Sequence, residues 1–364
     1  MNFVKRIIFA ALMFIMANVS VAVAQEEGAH QKSSKPFAAG EFILHHVGDS
    51  YEWHMATIGD FHLSLPLPCI LYSETSGFHM FCSSNFHHGD AEYEGFRISK
   101  SEKYEGKIVE MVNGEEVRPW DFSITKNVAA IFVSMIIICL IFIGLRKHYE
   151  KNVGRAPKGL WNGVEMLVMT VRDDIAYSSL GRKYGDKFMP FLLTVFFFIF
   201  INNLLGLVPF LPGGANVTGN IAVTCVLALF TFAITTFSGN KHYWIDIFWP
   251  HGVPVWLKCP PIIPLVELMG VFTKPVVLLI RLFANITAGH IIALAFYSLI
   301  FIFGANSPAT GYGVASFSIV FTVFMSVLEL LVAFIQAYVF TLLSAIYFSL
   351  AVGGGEEHEA VETK

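Results

Sequence analysis

The stretch VAAIFVSMIIICLIFIGL, residues 128–145, contains no charged side chain and decides the class of fold. A helix of this length covers about 27 Å, close to the roughly 30 Å thickness of bilayer hydrocarbon. Arg146 and Lys147 follow it directly. The stretch therefore predicts a membrane-spanning helix that ends at a basic, cytoplasmic flank.

The composition of the whole chain agrees with this prediction. The 364 residues are 55% hydrophobic and only 14% charged, and they include 35 Phe. One soluble core does not need so much apolar surface, so we expect an all-α polytopic membrane protein. The net charge of −4, without a basic stripe, argues against a nucleic-acid partner. No phosphate-binding loop occurs, so we expect neither nucleotide chemistry nor a cofactor in this chain.

The N-terminal 24 residues predict a signal peptide. Lys5 and Arg6 precede an apolar core, which ends at the small-residue pattern Ala22-Val-Ala24. An uncleaved anchor helix is the alternative. With cleavage at this pattern, residues 25–125 form an exported, periplasmic domain.

The predicted exported domain is polar and contains strands. DFHLSLPL, residues 60–67, alternates apolar and polar side chains, which predicts Phe61, Leu63 and Leu65 on one strand face. Cys69 and Cys82 would lie in an oxidising compartment, where a disulfide could contribute about 3 kcal/mol. Two unpaired thiols are the alternative.

Histidines are concentrated in this domain, which holds eight of the thirteen in the chain. Imidazole is a common zinc or copper ligand, but no pair here has the spacing of a known metal motif. We therefore predict no metal site. The histidines considered are His45, His46, His54, His62, His79, His87 and His88.

Charge placement predicts the topology of the following segments. Nine Lys and Arg residues lie within 146–187, so this loop is expected in the cytoplasm. Within it, residues 160–175 have the apolar spacing of an amphipathic helix at the membrane surface. Residues 189–211 and 219–237 predict the next two spans, and the acidic residues 354–364 predict a cytoplasmic tail.

Two long apolar segments, 262–303 and 313–352, are separated by GANSPATGYG. Each has about twice the length of a perpendicular span. Either each forms two spans around a buried turn, or each forms one long, tilted helix. Few polar turn residues occur inside them apart from Lys274-Pro275, which favours long helices with a kink there. We thus expect about five transmembrane helices, the last two forming a hairpin.

The polar residues of these two segments fit an antiparallel register. Arg281 and Asn285 differ by about 40° around a helix and share a face. In an antiparallel pair, facing residues have numbers with a constant sum. Arg281 with Gln336 gives 617 and His290 with Glu329 gives 619, both centred within GANSPATGYG. The pattern predicts that these two pairs lie at matching depths.

The chemistry of these groups suggests ion conduction. Arginine does not lose its proton in proteins, so Arg281 can act only as a fixed positive charge. His290 and Glu329 can both titrate, so they could line a water-filled half-channel. Glu267, about 21 Å before Arg281 along a straight helix, could serve a second half-channel from the cytoplasm.

The stretches PLVELMGVFTKPVVLLIRLFANITAGHII and LELLVAFIQAYVFTLLSAIYFSLA resemble subunit a of F-type ATP synthase, the stator of a proton-driven rotary motor. The resemblance covers residues 126–353 and is strongest from 261 to 348. Its most specific element is the motif RLF[A/G]NxxAG, in which x is any residue. The motif reads RLFANITAG at residues 281–289. NNLLGLVPFLP and ANVTGN are weaker matches.

The resemblance implies roles for these side chains. Arg281 corresponds to the essential stator arginine, which faces a carboxylate of the rotating c-ring. Asn285 and Gln336 correspond to its polar neighbours, and Glu267 to the acid before the lysine-proline step. His290 and Glu329 occupy positions that hold one acid and one histidine in either order. The proton-translocation residues are thus expected to be Arg281, Asn285, His290, Glu329, Gln336 and Glu267.

The resemblance also implies partners and a location. These are the c-ring, b-type peripheral stalk subunits, the rest of the synthase and membrane lipids, in a bacterial inner membrane. Transport of Na⁺ instead of H⁺ is one alternative. A transporter with an exported sensor domain is another, although no internal repeat occurs. The domain 25–125 departs from the usual family pattern, and our hypothesis is that it helps to assemble or cap the stator.

Overall fold

A computed structural model describes residues 40, 48–58, 61–89, 91–101, 103–112, 114–152, 158–208, 213–248, 262–306 and 308–353. The predicted signal peptide and the acidic tail lie outside the described residues. The chain divides into two compact units. The first comprises Met1–Val133, Leu205–Val217 and Gly289–Leu328, and the second comprises Ser134–Leu204, Thr218–Ala288 and Glu329–Lys364.

The N-terminal domain, residues 48–125 here, contains eight short strands in three antiparallel sheets, which confirms a small strand-containing domain. The sheet orders are β1-β2, β4-β3-β8 and β5-β6-β7. A 3₁₀ segment, Ser83–Gly89, follows β4. The strands are β1 Glu52–Ile58, β2 Phe61–Pro66, β3 Pro68–Ser73, β4 Gly77–Cys82, β5 Phe96–Ile98, β6 Ile108–Val112, β7 Glu115–Val117 and β8 Trp120–Asp121.

An aromatic core holds this domain together. Leu71 of β3 and Phe81 of β4 pack there with Phe86 and Phe96, and burial of such side chains stabilises the fold. DFHLSLPL does form β2, but Leu65 remains 42% exposed. Since β2 pairs only with β1, the apolar face predicted for this strand is not buried at that position.

Helices make up most of the rest of the described chain. Five of them are long and apolar enough to cross a membrane, which confirms the predicted number. Helix α4 begins where the side chain of Asn220 accepts a hydrogen bond from the backbone N–H of Ala222. The helices are α1 Lys126–Lys151, α2 Leu160–Met169, α3 Ser178–Leu207, α4 Ile221–Ser238, α5 Lys241–Phe248, α6 Ile262–Asn306 and α7 Pro308–Val352.

The predicted surface helix at residues 160–175 is not a separate element. Helix α2 leads into a π-helical segment, Thr170–Tyr177, which leads directly into α3. Val171 and Ile175 of this segment are fully buried in the core of the second unit. Gly181 has a positive φ of 68° and interrupts regular helix near the start of α3.

The last two helices each run for 45 residues. This decides between the two alternatives for the long segments, because α6 continues through Pro275. Helix α6 ends at Asn306 and α7 begins at Pro308, so most of GANSPATGYG is helical and the turn is shorter than predicted. Proline suits the first position of a helix, where its missing N–H costs no hydrogen bond.

Two contacts establish the antiparallel hairpin of α6 and α7. In the second unit, the side-chain amide of Gln336 donates to the backbone carbonyl of Arg281. In the first unit, the rings of Phe296 and Phe321 lie 3.9 Å apart. Both pairs have position numbers that sum to 617. The register predicted from the polar residues is therefore confirmed at two heights along the hairpin.

Candidate functional site

Arg281 lies on the open face of α6 in this single chain. Leu278 and Leu282, about 60° and 100° around the helix from Arg281, are each only 1% exposed and fix its packing. Gln336 of α7 is 3% exposed, and its Nε2 donates a 2.7 Å hydrogen bond to the carbonyl oxygen of Arg281. The hydrogen bond from α7 therefore fixes the backbone of the residue that bears the guanidinium. Asn285 is exposed on the same face of α6.

Asn203 of α3 forms a hydrogen bond with α7 about one turn before Gln336. Its side-chain N–H donates to the carbonyl of Ala333 at 3.2 Å, and its side-chain oxygen accepts a 2.6 Å hydrogen bond from the hydroxyl of Thr218. The neighbouring Asn202 donates to the hydroxyl of Ser134 at 3.1 Å. Buried amides of this kind link membrane helices. Asn203 therefore fixes the height of α7 against α3, and Asn202 ties α3 to α1.

His290 lies beside a glycine of the first unit. A Cβ at Gly206 would be 3.7 Å from His290 Nε2 and 3.5 Å from the carbonyl oxygen of Ala215. Gly206 could not be predicted as a site residue, because only the fold brings it to His290.

Glu329 is half-buried on α7, and its Oε1 has no hydrogen-bond partner among the described residues. The hydroxyls of Ser318 and Thr322 on the same helix are buried and likewise have no partner in the described part of the chain. At 100° per residue, these three residues and Gln336 fall on nearly one stripe. Buried oxygens without protein partners are suited to water.

The seven-residue spacing from Glu329 back to Thr322 was a signal that the sequence analysis did not use. It considered only the ionisable and amide groups, and hydroxyls are common in membrane helices. The matching depth of His290 and Glu329 stays a prediction.

A cleft in the second unit lies near Lys274. It is lined by side chains of α4, α5, α6 and α7, among them the apolar Phe232, Val271 and Pro275. Lys274 is half-buried, and its Nζ lies 5.7 Å from the ring centroid of Tyr347, a favourable cation–π distance. The other polar lining residues are Thr231, Thr235 and Tyr243.

Glu267 is exposed in the structure. It precedes Lys274 by seven residues, as Lys274 precedes Arg281, so these residues lie close to one stripe of α6. The structure brings none of the other predicted site residues to Glu267 by a hydrogen bond or ion pair among the described residues. Its role in a second half-channel stays a prediction.

The two cysteines of the N-terminal domain are free thiols on opposite faces of their sheet. Cys69 pairs with Phe81 and is fully buried, whereas Cys82 pairs with Pro68 and is exposed. Burial raises the pKa of the Cys69 thiol to about 12. This arrangement favours the alternative of two unpaired thiols.

The histidines of this domain occupy several different environments. His45 and His46 lie outside the described residues. The imidazole of His79 lies 2.8 Å from the carboxylate of Glu94. Within the described ranges, no group of three or more His, Cys, Asp or Glu side chains is placed to hold a metal ion.

Comparison with known proteins identifies both parts of the chain. Residues 128–349 match the family described as ATP synthase A chain, and residues 42–122 match a domain of unknown function, DUF8433. ATP synthase subunit a of Chloroherpeton thalassium is 43% identical over 253 residues, which cover 67% of this chain and 72% of that protein.

Two further relatives are similar to the same extent. ATP synthase subunit a 2 of Chlorobaculum tepidum is 43% identical over 253 residues, covering 68% of each chain. ATP synthase subunit a of Myxococcus xanthus is 42% identical over 243 residues, covering 66% of this chain and 76% of that protein. With its five long apolar helices, the chain belongs to the ATP synthase subunit a family and is a multi-pass membrane subunit of that complex.

Proposed function

We propose how the residues of this subunit, the proton-translocating stator of F-type ATP synthase, perform its function. Arg281 is the fixed charge against which a rotor carboxylate gives up its proton. The observation that carries this assignment is the hydrogen bond from buried Gln336 to the Arg281 backbone, which leaves the guanidinium side of α6 open. A c-ring can approach this open face.

The electrostatic effect of such a charge is large enough for this task. At about 4 Å and an effective dielectric constant near 20, a guanidinium attracts a carboxylate by about 4 kcal/mol. This attraction favours the ionised acid, which releases its proton on arrival and takes up another after it leaves. Since Arg281 cannot release a proton itself, it also blocks direct leakage past the rotor. Asn285, on the same face, orients the approaching carboxylate.

One half-channel contains His290, Glu329 and the hydroxyls of Thr322 and Ser318. Support comes from the unpaired oxygens on one stripe of α7 and from the absence of a side chain at Gly206, beside the imidazole. Water held by these groups would carry protons towards Arg281. Both ionisable groups can pass a proton on.

The second half-channel includes the cleft around Lys274. The cleft lies beside the α6 stripe that leads from Glu267 to Arg281, and its lining hydroxyls can hold water. In this assignment Glu267 stands at the entrance. Lys274 stays bound to Tyr347 and shapes the electrostatic field of the cleft.

The orientation follows from the distribution of charge. The basic loop 146–187 lies in the cytoplasm, and the N-terminal domain is periplasmic in a bacterial inner membrane. The His290 half-channel then opens to the periplasm and the Lys274 cleft to the cytoplasm. Besides the c-ring, b-type peripheral stalk subunits and membrane lipids contact the lipid-facing helices.

Substitution Arg281→Ala tests the central assignment. In reconstituted vesicles containing the complete synthase, we expect loss of ATP-driven proton pumping, because no fixed charge then forces deprotonation. The amount of subunit a that co-purifies with the c-ring should be unchanged, since Arg281 is exposed. Arg146→Ala is the matched control, because Arg146 is an exposed arginine paired only with Glu150 one helical turn away. Normal coupled pumping by Arg281→Ala would refute the assignment.

A further inference from the structure

The N-terminal domain is joined to the membrane helices without a flexible linker. The carboxylate of Asp49 accepts hydrogen bonds from the hydroxyl of Thr125 at 2.8 Å and from the backbone N–H of Asn127 at 3.1 Å. The backbone N–H of Lys126 donates to the carbonyl of Ser50 at 2.8 Å. Lys126 is only 8% exposed. The beginning of the domain is therefore fixed to the first turn of α1.

A second attachment joins the domain to the loop that follows α3. The indole N–H of Trp53, in β1, donates a 3.1 Å hydrogen bond to the carbonyl of Gly213, and Trp53 is 3% exposed. Position 213 has no room for a side chain, because a Cβ there would collide with the carbonyl oxygens of Leu205 and Val208. The loop is therefore tightly folded at Gly213, the residue to which Trp53 of the domain donates its hydrogen bond.

The same loop reaches His290 within two further contacts. The backbone N–H of Gly214 donates to the carbonyl of Leu205 at 3.2 Å. The next residue, Gly206, lies beside the imidazole of His290 and beside the carbonyl of Ala215. All these residues belong to the first unit. A displacement of the loop at Gly213 would thus change the surroundings of His290.

We infer that the N-terminal domain positions the wall of the proton inlet, and that Trp53 is the residue through which it acts. The domain holds the backbone at Gly213, and through it Leu205 and Gly206, in place beside His290. This inference rests on the proposed function, because it assumes that His290 lies in the inlet. Trp53 touches no transported ion and is a positioning residue.

Passive proton flow gives the test. The complete synthase, carrying each variant, is reconstituted into vesicles, the nucleotide-hydrolysing sector is removed, and flow is driven by a potassium diffusion potential over a range of pH. Trp53→Phe keeps a buried ring but removes the N–H donor, which leaves the Gly213 carbonyl unpaired. We expect flow to fall by about threefold or more.

The pH profile separates positioning from a simple loss of folded complex. If the loop moves, the surroundings of His290 change, because Gly206 lies beside the imidazole and its backbone neighbour Leu205 is bonded to the loop. The pH of half-maximal flow should then shift. Fewer folded complexes would lower the whole profile without shifting its midpoint, and that result would overturn the inference.

Matched variants complete the experiment. Trp120→Phe, in the same domain but 63% exposed, should leave flow and midpoint unchanged. Gly213→Ala displaces the loop from its own side and should reproduce the effect of Trp53→Phe. His290→Ala is measured in parallel. Normal flow in Trp53→Phe with reduced flow in His290→Ala refutes the positioning role alone, whereas normal flow in both refutes the proposed inlet as well.

Discussion

The N-terminal domain and the last helix differ in whether their buried side-chain oxygens have hydrogen-bond partners. In the domain, the carboxylate of Glu110 accepts hydrogen bonds from the hydroxyls of Ser73, Thr75 and Ser76. On α7, by contrast, Thr322 and Glu329 have buried oxygens that form no hydrogen bond with any described residue.

The pKa values of the domain acids show the effect of such partners. Burial alone would raise the pKa of Glu110, but the three hydroxyls outweigh it and the net shift is downward. Hydrogen bonds from Ser101, Arg97 and Ser99 lower the pKa of Glu116 to about 2. Such acids stay ionised and stabilise the fold, whereas unpaired groups remain available for water and protons. The acids of the domain are thus held by hydrogen bonds, whereas Glu329 has the unpaired oxygen that the proposed half-channel requires.

Removing the unpaired acid should have the largest effect among the tests of this comparison. Glu329→Ala removes a proton carrier from the inlet, so passive proton flow should fall by about tenfold or more. Exchanging His290 and Glu329 should reduce flow less, because both ionisable groups are kept. Flow is measured in vesicles from which the nucleotide-hydrolysing sector has been removed. Unchanged flow in Glu329→Ala would show that this acid has a structural role and takes no part in proton flow.

A smaller effect is expected from an unpaired hydroxyl. Thr322→Val keeps the shape of the side chain but can no longer hold water by a hydrogen bond. Flow should fall by roughly two- to fivefold, while the thermal stability of the complex is retained or increased. The control is Thr341→Val on the same helix, where the hydroxyl donates to the carbonyl of Ala337 at 2.8 Å. Equal flow in the two variants would remove Thr322 from the inlet.

The hydrogen-bonded acids should appear in the acid stability of the domain. The folded pKa of Glu116, about 2, lies below its usual value of 4.5. Its contribution to stability is therefore complete above about pH 4.5 and is lost as pH falls towards about 2. Hydrogen–deuterium exchange of peptides from residues 95–117, corrected for intrinsic rates, should show protection declining in this range.

The control for acid stability is another acid of the same strand. Glu116→Gln should weaken protection at neutral pH and flatten its decline in acid, whereas Glu115→Gln, at an exposed position, should change neither. Identical acid profiles for all three proteins would show that these hydrogen bonds do not tune the stability of the domain.

The two thiols of the domain should differ in reactivity. This difference should not affect proton transport. A membrane-impermeant maleimide should label exposed Cys82 and leave Cys69 unmodified, because burial raises the pKa of that thiol to about 12. Mass spectrometry of the intact subunit without reduction also detects any disulfide. A mass two hydrogens lower, with neither residue labelled, would support the disulfide alternative.

The membrane helices could be predicted from the sequence because their signals are local. Long uncharged stretches identify the spans. The pairs Arg281–Gln336 and His290–Glu329 predicted the register, and the contact of Phe296 with Phe321 agrees with the first of them. The turn was placed correctly but overestimated in length. Gly and Pro residues in GANSPATGYG suggest a loop, yet proline at position 308 fits the first turn of a helix.

The N-terminal domain was less predictable because its structure depends on pairings between distant residues. The alternation in DFHLSLPL identified a strand but not its partner, so the exposure of Leu65 could not be foreseen. The contact of Trp53 with Gly213 joins residues 160 positions apart. Thr322 was overlooked for another reason, since a hydroxyl becomes significant only when the fold shows that nothing satisfies it.

The near absence of a linker between α6 and α7 has a consequence for the evolution of this subunit. Each 45-residue helix is about 68 Å long, so their ends extend well beyond a perpendicular crossing of about 30 Å. Losing or gaining one residue where α6 meets α7 would rotate one helix by about 100° relative to the other. The side-chain amide of Gln336 would then no longer face Arg281. Length variation should therefore accumulate at the outer ends of this hairpin and spare its tip.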